Sequence, residues 1–294
     1  MTMKIAIIGA GYVGVGVALV YGKSHDIFFY DVDENKINSI NRGHSPIPDD
    51  EVESFFQHNR KRISGSTSIQ EALLDASCCF ICEPTPLDAE TKRLDTSIVK
   101  GLLPAINVAK ILKSLQIFIR STINILDTRE FETLFPSLNI HALPEFLREK
   151  HVYEDALHPS RIIVGGAESK ELEIVVTAYL EGIENKPECV YVSNEEAFAI
   201  KLFSNSYLAT RVAFFNEIDS YAEAVGLDSS KIIYGMGLDQ RIGDHYNTPS
   251  SGFGGKCLPK DVAASATMLK ESGLETTILE AVTISNEERK KRHS

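Results

Sequence analysis

Cys257 stands in the run Ser251-Gly252-Phe253-Gly254-Gly255-Lys256-Cys257-Leu258-Pro259-Lys260-Asp261, a setting that would expose a thiolate and favour its charge. Three glycines let the backbone approach a ligand closely, and Pro259 suits the first position of a helix through Ala263, Ala266, Met268 and Leu269. Cys257 is therefore expected at a helix N-terminus. There the unpaired N–H groups, the positive dipole end, Lys256 and Lys260 should together draw the thiol pKa down, as a catalytic nucleophile requires. Most cysteines are small buried hydrophobes instead. Cys79 and Cys82 are read that way despite their redox- or metal-like spacing, because strand residues three apart point to opposite faces. No metal site is expected.

Lys201 and Asn205 form a second candidate constellation. They stand i, i+4 on a helix predicted over 195–225, unbroken by Gly or Pro and flanked by Leu202, Phe203, Leu208 and Val212,. Such a pair is either solvated surface or a device that holds and polarises a substrate oxygen, the lysine acting by charge or by proton transfer. Spacing does not separate the two readings.

These side chains must be positioned by an α/β scaffold. The apolar run Lys4-Ile5-Ala6-Ile7-Ile8 leads into Gly9-Ala10-Gly11-Tyr12-Val13-Gly14 and a helical stretch over 15–23. A second strand over 26–30 follows and ends at Asp31. Strand, glycine-rich turn and helix in this order form a dinucleotide-binding pattern, with the helix N-terminus facing the diphosphate and Asp31 accepting the ribose hydroxyls. A carboxylate at that place repels the 2′-phosphate of NADP, so NAD is the expected cofactor. Further strands are predicted over 78–82, 116–121, 139–143 and 161–164, separated by helices such as 68–76 and 97–112. The alternation implies a Rossmann-like doubly wound parallel sheet. Glu83-Pro84-Thr85-Pro86, Ser121-Thr122 and Pro144-Glu145 each follow a strand and should line the ligand crevice at the strands' carboxyl ends.

Composition narrows the class. At 294 residues with 43% hydrophobic and 24% charged residues, the chain can bury a substantial core in one large or two ordinary domains. A net charge of -11 supplies no basic stripe for phosphates, so no nucleic-acid partner is expected. No run reaches the roughly 20 apolar residues of a membrane span, and the N-terminus lacks a signal-peptide layout. The five cysteines lack disulfide-framework spacing, and a cytoplasmic location is expected.

The combined motifs resemble the UDP-glucose/GDP-mannose dehydrogenase family, closest to its bacterial UDP-glucose branch. The resemblance rests on residues 7–14, on Pro144-Glu145-Phe146-Leu147-Arg148-Glu149, on Lys201-Leu202-Phe203-Ser204-Asn205 and on residues 253–261. Arg241-Ile242-Gly243-Asp244-His245-Tyr246-Asn247 points to the UDP-glucose branch. The resemblance implies oxidation of a nucleotide-sugar C6 alcohol to the carboxylate by two hydride transfers to NAD, through a thiohemiacetal and thioester on Cys257. It implies catalytic roles for Cys257, Lys201, Asn205, Asp261, Glu149 and Thr122. Cofactor contacts are implied for Gly9, Gly11, Tyr12, Val13, Gly14, Asp31, Lys36, Thr85 and Thr122. Substrate contacts are implied for Glu145, Phe146, Leu147, Glu149, Lys201, Asn205, Tyr246, Ser250 and Gly254, and for Arg241 reaching a neighbouring subunit, which implies a homodimer.

On this reading residues 1–190 form the NAD-binding domain. Residues 191–294 form a helical central domain with a long dimerisation helix, and the family's C-terminal UDP-binding domain is expected to be absent. The chain departs from the family at Glu83, where a small or apolar residue is usual, at Asn124-Ile125-Leu126 in place of a Pro-rich turn, and at Lys256 in place of an aromatic residue. The basic run at 289–292 is expected to be a solvated helix end. Two other classes stay open: a single-step hydroxyacid dehydrogenase of the 6-phosphogluconate type, which needs no cysteine, and a non-catalytic NAD-binding or dimerisation protein.

Overall fold

Alternating apolar strands and amphipathic helices set the architecture. The computed structural model describes residues 2–108 and 115–293. Its elements run β1 (Lys4–Ile8), α1 (Tyr12–Tyr21), β2 (Asp26–Tyr30), α2 (Glu34–Asn41), α3 (Asp50–Asn59), β3 (Ile63–Ser66), α4 (Ile69–Leu73), β4 (Cys78–Ile81), α5 (Ser97–Val108) and β5 (Gln116–Ile119). They continue with α6 (Ile125–Leu134), β6 (Asn139–Ala142), α7 (Val152–Leu157), β7 (Arg161–Gly165), α8 (Lys170–Gly182) and β8 (Glu188–Val192). Four helices complete the chain: α9 (Asn194–Val225), α10 (Ser229–Gly237), α11 (Leu258–Glu271) and α12 (Thr277–His293). The predicted extension of α5 to Leu112 lies outside the described residues. By contacts the chain divides into two units, Met1–Thr85 with Asp95–Ala199, and Pro86–Leu94 with Ile200–Ser294.

In the first unit six strands pair in the order β3-β2-β1-β4-β5-β6, every pair parallel. The order reverses between β1 and β4, which makes the crevice beyond their carboxyl ends the expected ligand site of a doubly wound sheet. Both faces are covered, so the strands read as nearly continuous apolar runs. Phe80 and Phe118 are fully buried and stack with ring centroids 4.9 Å apart. Each such ring contributes roughly 1.5–3 kcal/mol by leaving water. Cys79 and Cys82 are buried in and just after β4, where burial raises the Cys79 thiol and pushes the Cys82 thiol up to about 12. They are sheet packing, as the strand geometry predicted.

The strand at 161–164 does not extend the main sheet. It forms β7, which pairs in parallel with β8 in a separate two-stranded sheet. The side chain of Asn194 gives a physical reason, since it occupies part of the outer edge of β6. Its Oδ1 accepts from the Ala142 N–H at 2.6 Å, while its Nδ2 donates to the Ile140 carbonyl at 3.1 Å and to Glu132 at 2.8 Å. A side-chain amide thus stands where a further strand would bond.

Asn194→Ala should therefore strand a buried N–H and a buried C=O, at a cost of about 2–4 kcal/mol. Urea unfolding monitored by circular dichroism checks this; a midpoint equal to the parent's would contradict it.

Candidate active site

The first unit carries a candidate cofactor site around the turn after β1. Gly9 has φ +99°, and a Cβ there would stand 2.8 Å from the Cys82 carbonyl oxygen. A Cβ on Gly14 would stand 2.0 Å from the Gly9 carbonyl oxygen. Only hydrogen fits at either place, so β1, β4 and the start of α1 close up tightly. At Gly11, by contrast, a Cβ would meet nothing within 4 Å, and this residue caps α1 without a side-chain hydrogen bond. Other helices spend a side chain on their caps, as Asp33, Asp49, Ser68 and Ser169 do. The N-terminus of α1 is instead capped by a glycine and presents its backbone without a capping side chain, which suits a diphosphate,. Tyr12 and Val13, the first residues of α1, are half-buried beside it.

Asp31 lies at the end of β2 and is almost wholly buried. Its Oδ2 accepts from the Ala10 N–H at 2.8 Å and from Lys36 Nζ at 3.0 Å, and its Oδ1 from the Asp33 N–H at 2.9 Å. Burial alone would push this carboxyl up, but the bonds from Asp33, Ala10 and Lys36 hold it below its ordinary value. A carboxylate accepts about four hydrogen bonds, so the present three leave room for one ribose hydroxyl, and for a second if Lys36 swings aside. The residues present therefore fit NAD.

Thr85 and Thr122 are brought together: the Thr85 hydroxyl donates to the Thr122 carbonyl at 2.6 Å, both residues being buried. Ser121 Oγ donates to the Glu83 carbonyl at 2.7 Å, so the turns after β4 and β5 are fastened to each other. Glu83 turns inward, its carboxyl carbon 3.5 Å from where a Gly9 Cβ would stand. After β6, Glu145 is buried and accepts from the Leu147 N–H at 2.6 Å. The Arg161 guanidinium lies 3.9 Å from the ring centre of Phe146, Leu147 is half-buried and Glu149 is exposed.

The second unit holds the nucleophile. Cys257 is exposed and is the N-cap of α11, its carbonyl accepting from the Asp261 N–H at 2.9 Å. Pro259 falls at the second helical position, one later than expected. Asp261 has no solvent exposure; its Oδ2 accepts from Asn205 Nδ2 at 2.6 Å, and Lys260 Nζ lies 3.0 Å from its Oδ1. Lys201, one turn before Asn205 on α9, is 4% exposed. That burial removes the solvated-surface reading of the Lys201–Asn205 pair.

Sequence reasoning missed what holds the loop before Cys257. Ser250 donates its N–H to Asn216 Oδ1 at 2.8 Å, and its carbonyl accepts from Arg289 Nε at 2.8 Å. Asn286 brackets Phe253, accepting from its N–H at 2.7 Å and donating to its carbonyl at 3.0 Å. Arg289 is 6% exposed and also bonds Ser220 and Asp219, so the expected solvated end of α12 begins only after it. Gly254 has open space around it. Tyr246 is partly exposed with φ +51°, and Arg241 is exposed, forked onto Asp239 within its own chain.

Among the described residues no helix is long and apolar enough to cross a membrane. Comparison with known proteins agrees with the geometry. The chain is 39% identical over 292 residues to a UDP-glucose 6-dehydrogenase of Campylobacter jejuni, covering 98% of this chain and 73% of that protein. Its identity to one from Streptococcus pneumoniae is 37%, covering 98% and 74%. The structure of a UDP-glucose dehydrogenase from Pyrobaculum islandicum superposes with a TM-score of 0.88 at 27% identity, covering 98% of this chain and 68% of the other. Residues 3–182 match the NAD binding domain of the UDP-glucose/GDP-mannose dehydrogenase family and residues 195–288 its central domain; the chain belongs to that family.

Proposed function

We propose that this NAD-dependent oxidoreductase converts the C6 alcohol of UDP-glucose to the carboxylate of UDP-glucuronate in two oxidations, with Cys257 holding the carbon between them. The observation that carries the reading is an exposed thiol at the N-cap of α11, with a wholly buried carboxylate one turn on that is hydrogen-bonded to Asn205. NAD, when bound, would supply the hydride acceptor, one molecule for each oxidation, with NADH exchanged for NAD between them. Gly11 and the α1 N-terminus would hold its diphosphate and Asp31 a ribose hydroxyl, with Tyr12, Val13, Thr85 and Thr122 beside them.

In the proposed sequence the alcohol passes its proton to a water held by Lys201 and Asp261 and its hydride to the cofactor, and becomes an aldehyde. Cys257 Sγ then adds to that carbon; the new C–S bond displaces the carbonyl π pair onto oxygen, and Lys201 and Asn205 stabilise the resulting oxyanion. A second hydride leaves the thiohemiacetal and a thioester remains. Water adds to it with its proton passing to Asp261, the C–S bond breaks with its electron pair returning to sulfur, and the acid departs. Thr122 and Glu149 are assigned to the reacting carbon and hydrolytic water. Glu145, Phe146, Leu147, Tyr246, Ser250 and Gly254 are assigned to the sugar nucleotide. The catalytic division we adopt is a cofactor domain at 1–190 and a central domain at 191–294. A reducing, cytoplasmic setting would keep the thiol available.

A homodimer fits the same reading. Phe203, Tyr207, Phe214 and Tyr221 are all at least 40% exposed on α9, and their spacing of four and seven residues aligns them along one face. A second copy of this chain would cover that face and bring Arg241 to its neighbour's substrate.

Cys257→Ser is expected to lower carboxylate formation by on the order of 10³-fold or more, while the parent yields two NADH per UDP-glucose consumed. One NADH per sugar with released aldehyde, or full acid formation by the serine variant, would contradict the thioester route. Phe214→Glu should shift the sedimentation coefficient from dimer to monomer; a parent that sediments as a monomer would contradict the assembly.

A further inference from the structure

Glu83 is an acidic side chain at the place in the sheet where a ligand's negative charge would arrive. It lies two residues past the end of β4, which pairs with β1, and these are the two strands between which the order reverses. Its backbone is held by Ser121 Oγ at 2.7 Å, and its carboxyl carbon lies 3.5 Å from the position a Gly9 Cβ would take. The carboxyl group therefore rests against the first glycine of the turn that leads into the α1 N-terminus, whose dipole suits a diphosphate.

The titratable groups around Glu83 come from three elements. Asp31 at the end of β2 adds a second negative charge, Lys36 on α2 supplies a positive one, and Cys82 precedes it with a thiol kept neutral by burial. Arg120 and Glu145 also act on that thiol. Burial, then Asp31, push the Glu83 carboxyl above its ordinary value, and Lys36 opposes them. Asp31 is held below its own, so of these two carboxyls Glu83 is the one that gains its proton first as pH falls.

We propose that Glu83 is an affinity-determining residue of the dinucleotide site: when ionised, its carboxylate opposes the cofactor's diphosphate at the glycine-rich turn, so this chain binds NAD more tightly at mildly acidic than at alkaline pH. The sign follows from charge. The diphosphate stays anionic across this range, and raising the pH adds a like charge beside the turn that receives it. By linkage, NAD must in turn favour the protonated form and draw a proton from solution on binding.

Isothermal titration of the full chain with NAD, between pH 5 and pH 8, tests this without reference to turnover. The parent's Kd is expected to rise over that span, by about a factor of ten for each pKa unit by which bound NAD raises the Glu83 carboxyl further. Glu83→Gln, which keeps the volume and removes the charge, should hold the parent's low-pH affinity throughout. Repeating the parent titration near pH 6 in buffers of different ionisation heat should reveal net proton uptake, and this arm needs no variant. Superimposed Kd profiles for parent and Glu83→Gln, or no proton uptake by the parent, would overturn the role of Glu83 alone. No NAD binding by either protein at any pH would overturn the dinucleotide site along with it.

Discussion

A hydrogen bond of 2.6 Å from Asn205 on α9 to Asp261 on α11 is the constraint on which the nucleophile's position depends. Asp261 is wholly buried, and a buried carboxylate without partners costs several kcal/mol. Asn205 bonds the Asp261 Oδ2, and the Lys260 ammonium stands as an ion-pair partner 3.0 Å from Oδ1, which accepts no hydrogen bond from the described residues; the two partners leave the first turn of α11 little freedom to move along α9. Through the Asp261 N–H the same turn fixes the Cys257 carbonyl. An exposed thiol is thereby held on a rigid base.

The approach to that thiol is fixed by a different helix. Asn286 and Arg289 of α12, with Asn216 of α9, bind the backbone of Ser250 and Phe253. Phe253 itself packs into the small core formed by Ala209, Ala213, Val262 and Val282. Side-chain amides and a guanidinium thus replace regular secondary structure over a glycine-rich stretch whose backbone would otherwise carry unpaired polar groups. In the first unit the logic is reversed: a glycine without a capping side chain starts α1, while Asp31, Thr85 and Ser121 fasten the surrounding turns.

Features written in consecutive residues were legible in the sequence. The turn from Gly9 to Gly14, Asp31 at the end of β2, the helix start beside Pro259 and the i, i+4 pair Lys201–Asn205 depend on local spacing, and the parallel, doubly wound class of the sheet followed from the strand–helix alternation, whereas the strand order and the separate pairing of β7 with β8 did not. What escaped depends on partners far along the chain. Nothing near Asn205 announces Asp261 as its acceptor, 56 residues away. Arg289 sits in a basic run that reads as solvent-facing, yet Asp219 and Ser220 bury it. Asn194 looks like the start of a helix, and only the folded sheet shows it occupying the edge of β6. The direction in which Glu83 turns was equally hidden, because an exposed and an inward glutamate after a strand have the same spelling.

Whether the Cys257 sulfur ever bonds to the sugar is the question closest to the centre. The Asp261→Asn protein, in which hydrolysis should be slowed, can be mixed with UDP-glucose and NAD, quenched in acid within milliseconds to seconds, and subjected to intact-mass and peptide mass spectrometry. The account predicts a transient adduct carrying the UDP-sugar acyl mass on the peptide that contains Cys257, absent without NAD. NADH production with no adduct on that peptide at any time point would contradict it.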